Sequence, residues 1–296
     1  MNIDIIGASL NLGANILGVE KGPGILVDSV KDNNILSNHE VQYKGIITSP
    51  SFVDLSEEDK LMKNKKSIFD FNTQLADKVY ESFKNEKHPL IIGGDHALSW
   101  GSIAGVVRKH KDIGVVYIDA HGDFNPAELS PSHNVHGMHM AYLMGMVDSE
   151  YVDFYYPGVK LAKKNVFFVG TRSLDYGEVE LAKMHNLFIN TSNEIRTRGI
   201  MSVVDELLAK IEKSNLNKLH ISLDIDVIDP ILCPGTGVLE KDGITVEDVE
   251  YILDKILSTQ KVISIDFVEF NPLLDIDNKT LILCQKLLSQ INNSWR

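Results

Sequence analysis

Short apolar runs alternate with longer amphipathic stretches along most of this chain. The short runs are rich in β-branched residues, which is typical of buried strands, and they predict strands at residues 3–7, 89–92, 114–118, 166–169, 187–189, 219–223 and 262–265. The longer stretches repeat apolar residues with a helical period, and the clearest predict helices at residues 57–84, 199–213, 245–257 and 279–292. Strands that alternate with helices indicate an α/β protein with a mainly parallel sheet covered on both faces.

Local signals between these elements agree with that pattern. Thr245, with Asp248 three residues later, resembles a capping box that would begin a helix. No repeat, low-complexity tract or interdomain linker interrupts the chain, and the Pro- and Ser-containing stretch at residues 125–135 is expected to be a loop. We therefore expect residues 1–296 to form a single domain, which is within the size range of α/β domains.

Three polar clusters directly follow predicted strands. They are Gly93-Gly94-Asp95-His96, Asp119-Ala120-His121-Gly122-Asp123 and Asp224-Ile225-Asp226. In the last two clusters the polar residues are separated by single spacers, and this period places them on one face of an extended chain. Ligands bind at the carboxyl ends of strands in parallel sheets. We therefore expect a metal site formed by His96, Asp119, His121, Asp123, Asp224 and Asp226.

Each cluster taken singly has a simpler explanation. An Asp-x-Asp pair such as Asp224 and Asp226 is common by chance and often caps a helix, and Gly-Gly-Asp-His can be a polar turn. The three polar groups at residues 119–123 are harder to explain in this way, because charges at the end of an apolar strand must be paired or solvated. The three clusters together favour metal binding.

The candidate ligands offer oxygen and nitrogen but no sulfur. Carboxylates favour manganese or magnesium, and imidazole also admits iron, cobalt or zinc. Two divalent cations sharing carboxylates would lower the pKa of a shared water enough to supply hydroxide near neutral pH. The pattern thus indicates hydrolysis of a poor electrophile, such as a guanidinium or amide carbon.

Composition narrows the class of partner. The formal net charge of −12 opposes binding to nucleic acid or to anionic membranes and would attract a cationic substrate. No apolar run has the length needed to span a bilayer, and the N-terminus lacks the basic start and apolar core of a signal peptide. Cys233 and Cys284 are the only cysteines, and we expect them to be free thiols in a reducing cytoplasm.

The motifs and their order resemble those of the arginase-type ureohydrolases, the family of arginases, agmatinases and formiminoglutamases. The resemblance begins at Gly18-Val19-Glu20-Lys21-Gly22-Pro23, includes the three polar clusters, and extends to Val268-Glu269-Phe270-Asn271-Pro272. It implies a three-layer α/β/α sandwich around a mainly parallel sheet. It also implies two Mn²⁺ ions per subunit, a small cationic guanidino substrate, and a homo-oligomer, either a trimer or a hexamer.

The resemblance implies a role for each candidate ligand. One manganese would be held by His96, Asp119, Asp123 and Asp224, and the other by His121, Asp119, Asp224 and Asp226. Asp119 and Asp224 would bridge the two ions, and Asp123 would also orient the bridging hydroxide.

Two further residues match catalytic positions of the family. His136, in Asn134-Val135-His136-Gly137, matches the histidine at the site mouth that carries protons to the departing amine, a role that suits an imidazole because its pKa lies near neutrality. Glu269 matches the carboxylate that pairs with the guanidinium, where a planar, bidentate partner is needed.

The loop before His136 favours arginine as the substrate. Residues 130–138 strongly resemble the loop of bacterial arginases. Asn125 and Ser132 stand at positions where arginases place side chains that bind the α-carboxylate. Asp175 matches the aspartate that meets the α-amino group. The favoured reaction is therefore the hydrolysis of L-arginine to L-ornithine and urea.

Several residues depart from the family pattern and keep alternatives open. Val238 replaces a threonine beside the guanidinium, Ser173 replaces a common aspartate, and His133 and His139 stand where Gly and Pro are typical. A lost hydroxyl partner in a dry site costs roughly 1–3 kcal/mol. The first alternative is an agmatinase or another guanidino-compound hydrolase, and the second is a metal-binding protein with little turnover. A third, weaker alternative is a di-metal hydrolase of formimino or amide groups.

Overall fold

A single sheet of eight parallel strands forms the centre of the computed structural model, which describes residues 1–14, 16–50 and 59–296. The strands are β1 (Asn2–Ser9), β2 (Glu40–Thr48), β3 (His88–Gly93), β4 (Gly114–Ile118), β5 (Val166–Thr171), β6 (Phe188–Thr191), β7 (Leu219–Asp224) and β8 (Val262–Val268). Their order across the sheet is β2-β1-β3-β8-β7-β4-β5-β6, and each neighbouring pair is parallel.

Nine α-helices occur within the described ranges. They are α1 (Gly22–Asp32), α2 (Lys65–Lys84), α3 (Ser99–Lys109), α4 (His139–Leu143), α5 (Tyr176–His185), α6 (Ser192–Arg198), α7 (Ile200–Lys213), α8 (Val246–Leu257) and α9 (Lys279–Ser294). One apolar core contains residues of α1, α7, α8 and α9, and a second core on the opposite face contains residues of α2, α3 and α4. The predicted three-layer α/β/α arrangement with a parallel sheet is therefore confirmed.

Each of the seven predicted strands overlaps an observed strand, but β2 was not predicted. Of its nine residues only Ile47 is buried, because β2 lies at an edge of the sheet and most of its side chains face solvent. An exposed edge strand has no continuous apolar run to reveal it.

The four predicted helices correspond to α2, α7, α8 and α9, and the helix predicted to begin at residue 57 begins later. Residues 57 and 58 lie outside the described residues, whereas residues 59–64 are not helical. Asn64 has a left-handed backbone (φ 56°), and α2 begins directly after it. Helix α3 was missed because residues 99–107 are all buried, so it shows no polar face. Within the described ranges, no helix is both long and apolar enough to cross a membrane.

The strand order decides where the polar clusters meet. Strands β3, β8, β7 and β4 are consecutive neighbours at the middle of the sheet. Their carboxyl ends lead directly to residues 94–96, 269, 224–226 and 119–123. The chain connections therefore bring four distant segments to one edge of the sheet, as expected for a ligand site in an open parallel sheet.

The predicted capping box at the start of α8 is present and testable. Thr245 Oγ1 accepts a hydrogen bond from the Asp248 N–H at 3.1 Å, and the Asp248 carboxylate accepts one from the Thr245 N–H at 3.0 Å. We expect Thr245→Ala to lower the free energy of unfolding by about 1 kcal/mol, measured by urea denaturation. Thr73→Ala, at an exposed position inside α2, is the control and should change it by less than about 0.5 kcal/mol. Equal effects of the two variants would contradict the capping role.

Candidate metal centre

The turn after β3 positions His96. The Gly94 N–H donates to the Ala8 carbonyl at 2.7 Å, and the Asp95 N–H donates to the Leu10 carbonyl at 2.9 Å. A Cβ atom at position 94 would collide with the Leu10 carbonyl. Glycine is therefore required for the chain to turn this close to β1 and present His96 at the edge of the sheet.

One imidazole nitrogen of His96 faces three carboxylates. The His96 Nδ1 atom lies 2.8 Å from Asp119 Oδ2, 3.3 Å from Asp224 Oδ2 and 3.4 Å from Asp123 Oδ2. The other ring nitrogen, Nε2, lies 2.8 Å from Ser222 Oγ, which fixes the rotation of the ring. Nδ1 is thus directed at the place where oxygen atoms from β4 and β7 converge.

His121 is the second imidazole of the cluster and lies on its solvent-facing side. Its Nδ1 atom lies 3.1 Å from Asp226 Oδ2 and 3.3 Å from Asp119 Oδ1. Asp119 therefore contacts the two imidazoles through different carboxylate oxygens. The His121 side chain is about a quarter exposed (23%), whereas Asp119 is fully buried, so the cluster opens toward solvent at His121.

The donor set fits divalent cations. Ligand atoms of His96, Asp119 and Asp123 lie within 4.8 Å of one another, and so do those of Asp119, His121 and Asp226. Apart from the His96 imidazole 2.8 Å away, the buried Asp119 Oδ2 atom has no hydrogen-bond partner, as expected for an atom whose partner is an ion. Carboxylate and imidazole donors without sulfur suit manganese and other hard or borderline ions. The chain thus has groups that can hold metal.

Burial and the charges of the cluster together raise the pKa values of three of its members. Burial by itself would lower the pKa of His96, but Asp119 and Asp224 outweigh burial and raise that pKa well above its ordinary value. Burial and then repulsion by Asp119 raise the pKa of Asp123 well above the usual range. Burial and then the charge of Asp226 do the same for the pKa of Asp224. A bound cation would favour the ionised form of each carboxylate.

Two of the predicted site residues have left-handed backbones. The φ angle is 54° at Asp123 and 71° at Glu269, a conformation that costs a residue other than glycine roughly 1–2 kcal/mol. The Asp123 carbonyl accepts from the Met140 N–H at 2.9 Å, and the Glu269 N–H donates to the Gly94 carbonyl at 2.9 Å. These contacts hold both carboxylates at the site in spite of the strain.

Glu269 and His136 lie side by side next to the cluster. One oxygen of Glu269, Oε1, accepts from the His96 N–H at 2.8 Å and lies 4.0 Å from His136 Nδ1. Burial, followed by the charges of His121 and His96, lowers the pKa of His136 to about 4. The side chain of His136 is 21% exposed, so the imidazole lies between the buried carboxylate and solvent.

A cavity of about 140 Å³ adjoins the cluster. It is lined by His121, Asp123, Asn125, Ser130, Ser132, His136, Gly137, Ser173, Asp175, Glu178 and Val238. The structure therefore brings all three residues predicted to bind the amino-acid part of a substrate to one cavity. Asn125 Nδ2 donates to the Asp175 carboxylate at 2.7 Å, and Asn125 Oδ1 is buried without a hydrogen-bond partner.

Glu178 is a cavity residue that the sequence reasoning missed. Its carboxylate accepts hydrogen bonds from the Phe124 N–H at 3.0 Å and the Asp175 N–H at 2.9 Å. Burial raises its pKa to about 7 in spite of these hydrogen bonds. The spacing Asp-x-x-Glu at the start of α5 is a capping-box pattern. This pattern was the one signal in the sequence that could have placed Glu178 next to Asp175.

Arg172 was also missed as a structural element of the site. Its guanidinium donates to the carbonyls of Asp226 at 2.8 Å, Val227 at 2.9 Å and Glu240 at 2.9 Å. It thereby joins the loop that carries a candidate ligand to the loop that follows Val238. The sequence contains no local signal for these contacts, because their partners are more than 50 residues away.

The fold and the donor set together define a class: a parallel α/β protein with an aspartate–histidine metal centre at the carboxyl ends of its central strands. Comparison with known proteins specifies the family, because a sequence model of the arginase family matches residues 1–292. The chain belongs to the arginase family, and the predicted enzyme class, a hydrolase acting on the guanidino C–N bond, is confirmed.

Relatives and solved structures agree with this result. The chain is 34% identical to an arginase of Staphylococcus aureus strain COL over 94% of this chain and 92% of that protein. It is also 34% identical to an arginase of Bacillus subtilis strain 168, over 94% and 93% of the two chains. The crystal structure of the Bacillus caldovelox arginase superimposes with a TM-score of 0.92 at 31% identity, covering 98% of both chains.

The central position of Asp119 provides a test of metal binding. We expect Asp119→Asn to lose bound Mn²⁺, because the substitution removes the negative charge of the carboxylate and replaces one of its two imidazole-facing oxygens with an amide NH2 group. Mn²⁺ at 100 times its dissociation constant should stabilise the wild type by about 2.7 kcal/mol and should not stabilise the variant. Thermal unfolding with and without Mn²⁺, together with metal analysis of dialysed protein, measures both effects.

Asp205→Asn, an exposed change on α7, is the matched control and should bind metal as the wild type does. Wild-type metal content in a folded Asp119→Asn protein would show that the cluster is not the metal site.

Proposed function

We propose that this protein is a manganese-dependent arginase that hydrolyses L-arginine to L-ornithine and urea. One observation supports the proposal above all others. A single cavity joins candidate metal ligands, His121 and Asp123, to the polar side chains of Asn125, Ser132 and Asp175. A substrate with a guanidinium at one end and an amino-acid group at the other matches this distribution.

The ligand groups support a pair of Mn²⁺ ions. We propose one ion at His96, Asp119, Asp123 and Asp224 and a second at His121, Asp119, Asp224 and Asp226. The two oxygens of Asp119 face different imidazoles, at 2.8 Å and 3.3 Å, which suits a bridging carboxylate. When bound, the cations supply the Lewis acidity that makes water a nucleophile near neutral pH.

Glu269 is suited to hold the guanidinium. Its carboxylate is 95% buried (5% exposed), and its Oε1 atom is fixed by the His96 N–H. The other oxygen, Oε2, faces the Gly237 backbone, since a Cβ atom at Gly237 would lie 3.5 Å from it. A buried carboxylate is stabilised by a cationic partner with matching planar geometry, so Glu269 would anchor and orient the reacting carbon.

His136 is suited to carry a proton to the leaving amine. A guanidinium held by Glu269 would lie near the His136 ring, because Nδ1 and Oε1 are 4.0 Å apart. The partial exposure of His136 allows proton exchange with solvent, and its pKa, lowered to about 4, makes the protonated imidazole a strong proton donor.

The assembly and the domain organisation are also proposals. We propose a single ureohydrolase domain over residues 1–296, which agrees with one continuous sheet and with a family match over residues 1–292. The homo-oligomer, a trimer or hexamer, and the cytoplasmic location stay predictions from the sequence.

A second candidate is the hydrolysis of agmatine or of another guanidino compound without an α-carboxylate. Val238 favours it, because this half-buried apolar side chain lines the cavity. The neighbouring Thr236 does not replace the missing hydroxyl, since its Oγ1 atom donates to the Val238 carbonyl at 3.0 Å. Asn125 and Ser132 oppose this candidate, because agmatine would leave these predicted carboxylate-binding side chains of the cavity without a partner.

Urea release from arginine and from agmatine, each with Mn²⁺, separates the candidates. We expect kcat/KM to be at least about 100-fold higher for arginine, because sites that bind a polar group reject analogues lacking it. Ser132→Ala should lower kcat/KM for arginine and leave agmatine turnover nearly unchanged, because agmatine lacks the α-carboxylate that Ser132 would bind. A preference for agmatine would overturn the arginase proposal, and Mn²⁺ binding without any urea release would favour a binding protein.

Val238→Thr tests whether the apolar wall limits the reaction. A hydroxyl at this position would give the guanidinium another polar contact, and we expect kcat/KM for arginine to rise about tenfold. Val159→Thr, at an exposed position, is the control and should leave kcat/KM unchanged. An unchanged or lower kcat/KM in Val238→Thr would show that the wall serves this chain's substrate as it is.

A further inference from the structure

A buried tyrosine lies directly behind the proposed metal centre. Tyr117 is fully buried on β4, two residues before Asp119, so that both side chains point to the same face of the strand. Its hydroxyl donates a hydrogen bond to Asp123 Oδ2 at 2.6 Å. The proposed reaction assigns no role to this residue.

The ring of Tyr117 also contacts a second proposed ligand. It stacks on the imidazole of His96 with a centroid distance of 4.8 Å and an interplanar angle of 2°, and its hydroxyl oxygen lies 3.1 Å from His96 Nδ1. Tyr117 therefore restrains the carboxylate of Asp123 and the plane of His96 at once, two members of the same donor group.

A buried histidine holds the hydroxyl of Tyr117 in place. His139 Nε2 lies 3.1 Å from the Tyr117 oxygen, and His139 Nδ1 lies 2.9 Å from the His136 carbonyl. A carbonyl only accepts hydrogen bonds, so Nδ1 carries the ring proton and Nε2 of the neutral ring is an acceptor. The single hydroxyl proton of Tyr117 is therefore shared between Asp123 Oδ2 and His139 Nε2, and Nε2 restrains the hydroxyl as its second acceptor. A proline at position 139 would offer no polar side-chain atom. The contact from residue 139 to Tyr117 thus depends on the histidine of this chain.

Asp123 has particular need of such support. Its backbone is left-handed (φ 54°), so its side-chain direction depends on tertiary contacts and not on a regular element. Burial and repulsion by Asp119 also disfavour the charge of its carboxylate, and a hydroxyl donor to Oδ2 offsets part of that cost. The hydrogen bond from Tyr117 therefore stabilises the Asp123 carboxylate in the orientation that faces His96.

We propose that Tyr117, held by His139, is a positioning residue that preorganises Asp123 and His96 for the cation they share. The inference rests on the ligand assignment under the proposed function. It assigns Tyr117 an effect on one ion of the pair, because the contacts reach His96 and Asp123 and not His121 or Asp226.

Titration of the purified metal-free full chain with Mn²⁺, followed by the EPR signal of free Mn²⁺, tests the proposal. The wild type should bind two ions. We expect Tyr117→Phe to bind one ion about 10–100-fold more weakly, the usual range for losing a partner of a metal ligand, and the other within about threefold of wild type. Tyr142→Phe is the control. Tyr142 is also buried, and the variant lacks a hydroxyl that accepts a hydrogen bond from the Ala127 N–H at 3.0 Å. It should bind both ions as the wild type does.

Two variants of His139 test its contact with Tyr117 while the tyrosine itself is unchanged. They replace Tyr117→Phe as the test if that variant does not fold. Asparagine at position 139 can reproduce the contact of Nδ1 with the His136 carbonyl, whereas glutamine can place a polar atom near the position of Nε2. We expect His139→Asn to lower the affinity for one Mn²⁺ ion severalfold and His139→Gln to retain more of that affinity.

The outcomes separate this inference from the proposed function. A wild type that binds no Mn²⁺ would overturn the ligand assignment itself. Two ions with wild-type affinities in Tyr117→Phe, or in His139→Asn where the tyrosine variant does not fold, would overturn the positioning role alone. An equal loss in Tyr142→Phe would also overturn it, because the effect would then be a general result of removing a buried hydroxyl.

Discussion

Buried negative charge at the carboxyl end of the sheet is the constraint on which the rest of this structure depends. Asp119, Asp123, Asp224 and Asp226 are at most 7% exposed, and ionised groups removed from water cost several kcal/mol each unless they are paired. Backbone N–H groups meet part of this cost, as where the His121 N–H donates to Asp119 Oδ1 at 2.7 Å. The remaining charge calls for cations. The same concentration of charge that would destabilise an empty cluster gives it the capacity to hold divalent ions and activate water.

The surrounding chain is arranged to hold these carboxylates in spite of their repulsion. Four neighbouring strands supply rigid starting points, and the loops after them are tied to one another by contacts between distant segments. Gly94 lets its turn pack against β1, and Arg172 joins the loops on either side of the cavity through their carbonyls. Two candidate site residues, Asp123 and Glu269, adopt left-handed backbones that only such contacts can maintain. Stability is thus given up locally so that the side chains point into the site.

The proposed substrate selection depends on other residues of the cavity beside the cluster. Asn125 and Asp175 form a hydrogen-bonded pair that leaves Asn125 Oδ1 without a partner, and an unpaired buried polar atom favours a ligand that satisfies it. Val238 presents apolar surface a short distance away. Under the proposed function, the polar pair would select for an amino-acid group, whereas Val238 would remove a polar contact to the guanidinium without changing a metal ligand. The proposed reaction class and the proposed substrate preference therefore depend on different residues.

The sequence alone determined the strand-forming runs, the three polar clusters that follow them and the family, because apolar periodicity and motif spacing are properties of neighbouring residues. It therefore predicted seven of the eight strands and the set of candidate ligands. It did not reveal β2, whose side chains face solvent, or α3, which is buried on all sides. Only the tertiary structure decided that Tyr117 contacts Asp123 and His139, that Glu178 lies in the cavity, and that Asp123 and Glu269 are left-handed. These features arise from packing between separate segments of the chain, and no local pattern encodes which distant residue will occupy the remaining space.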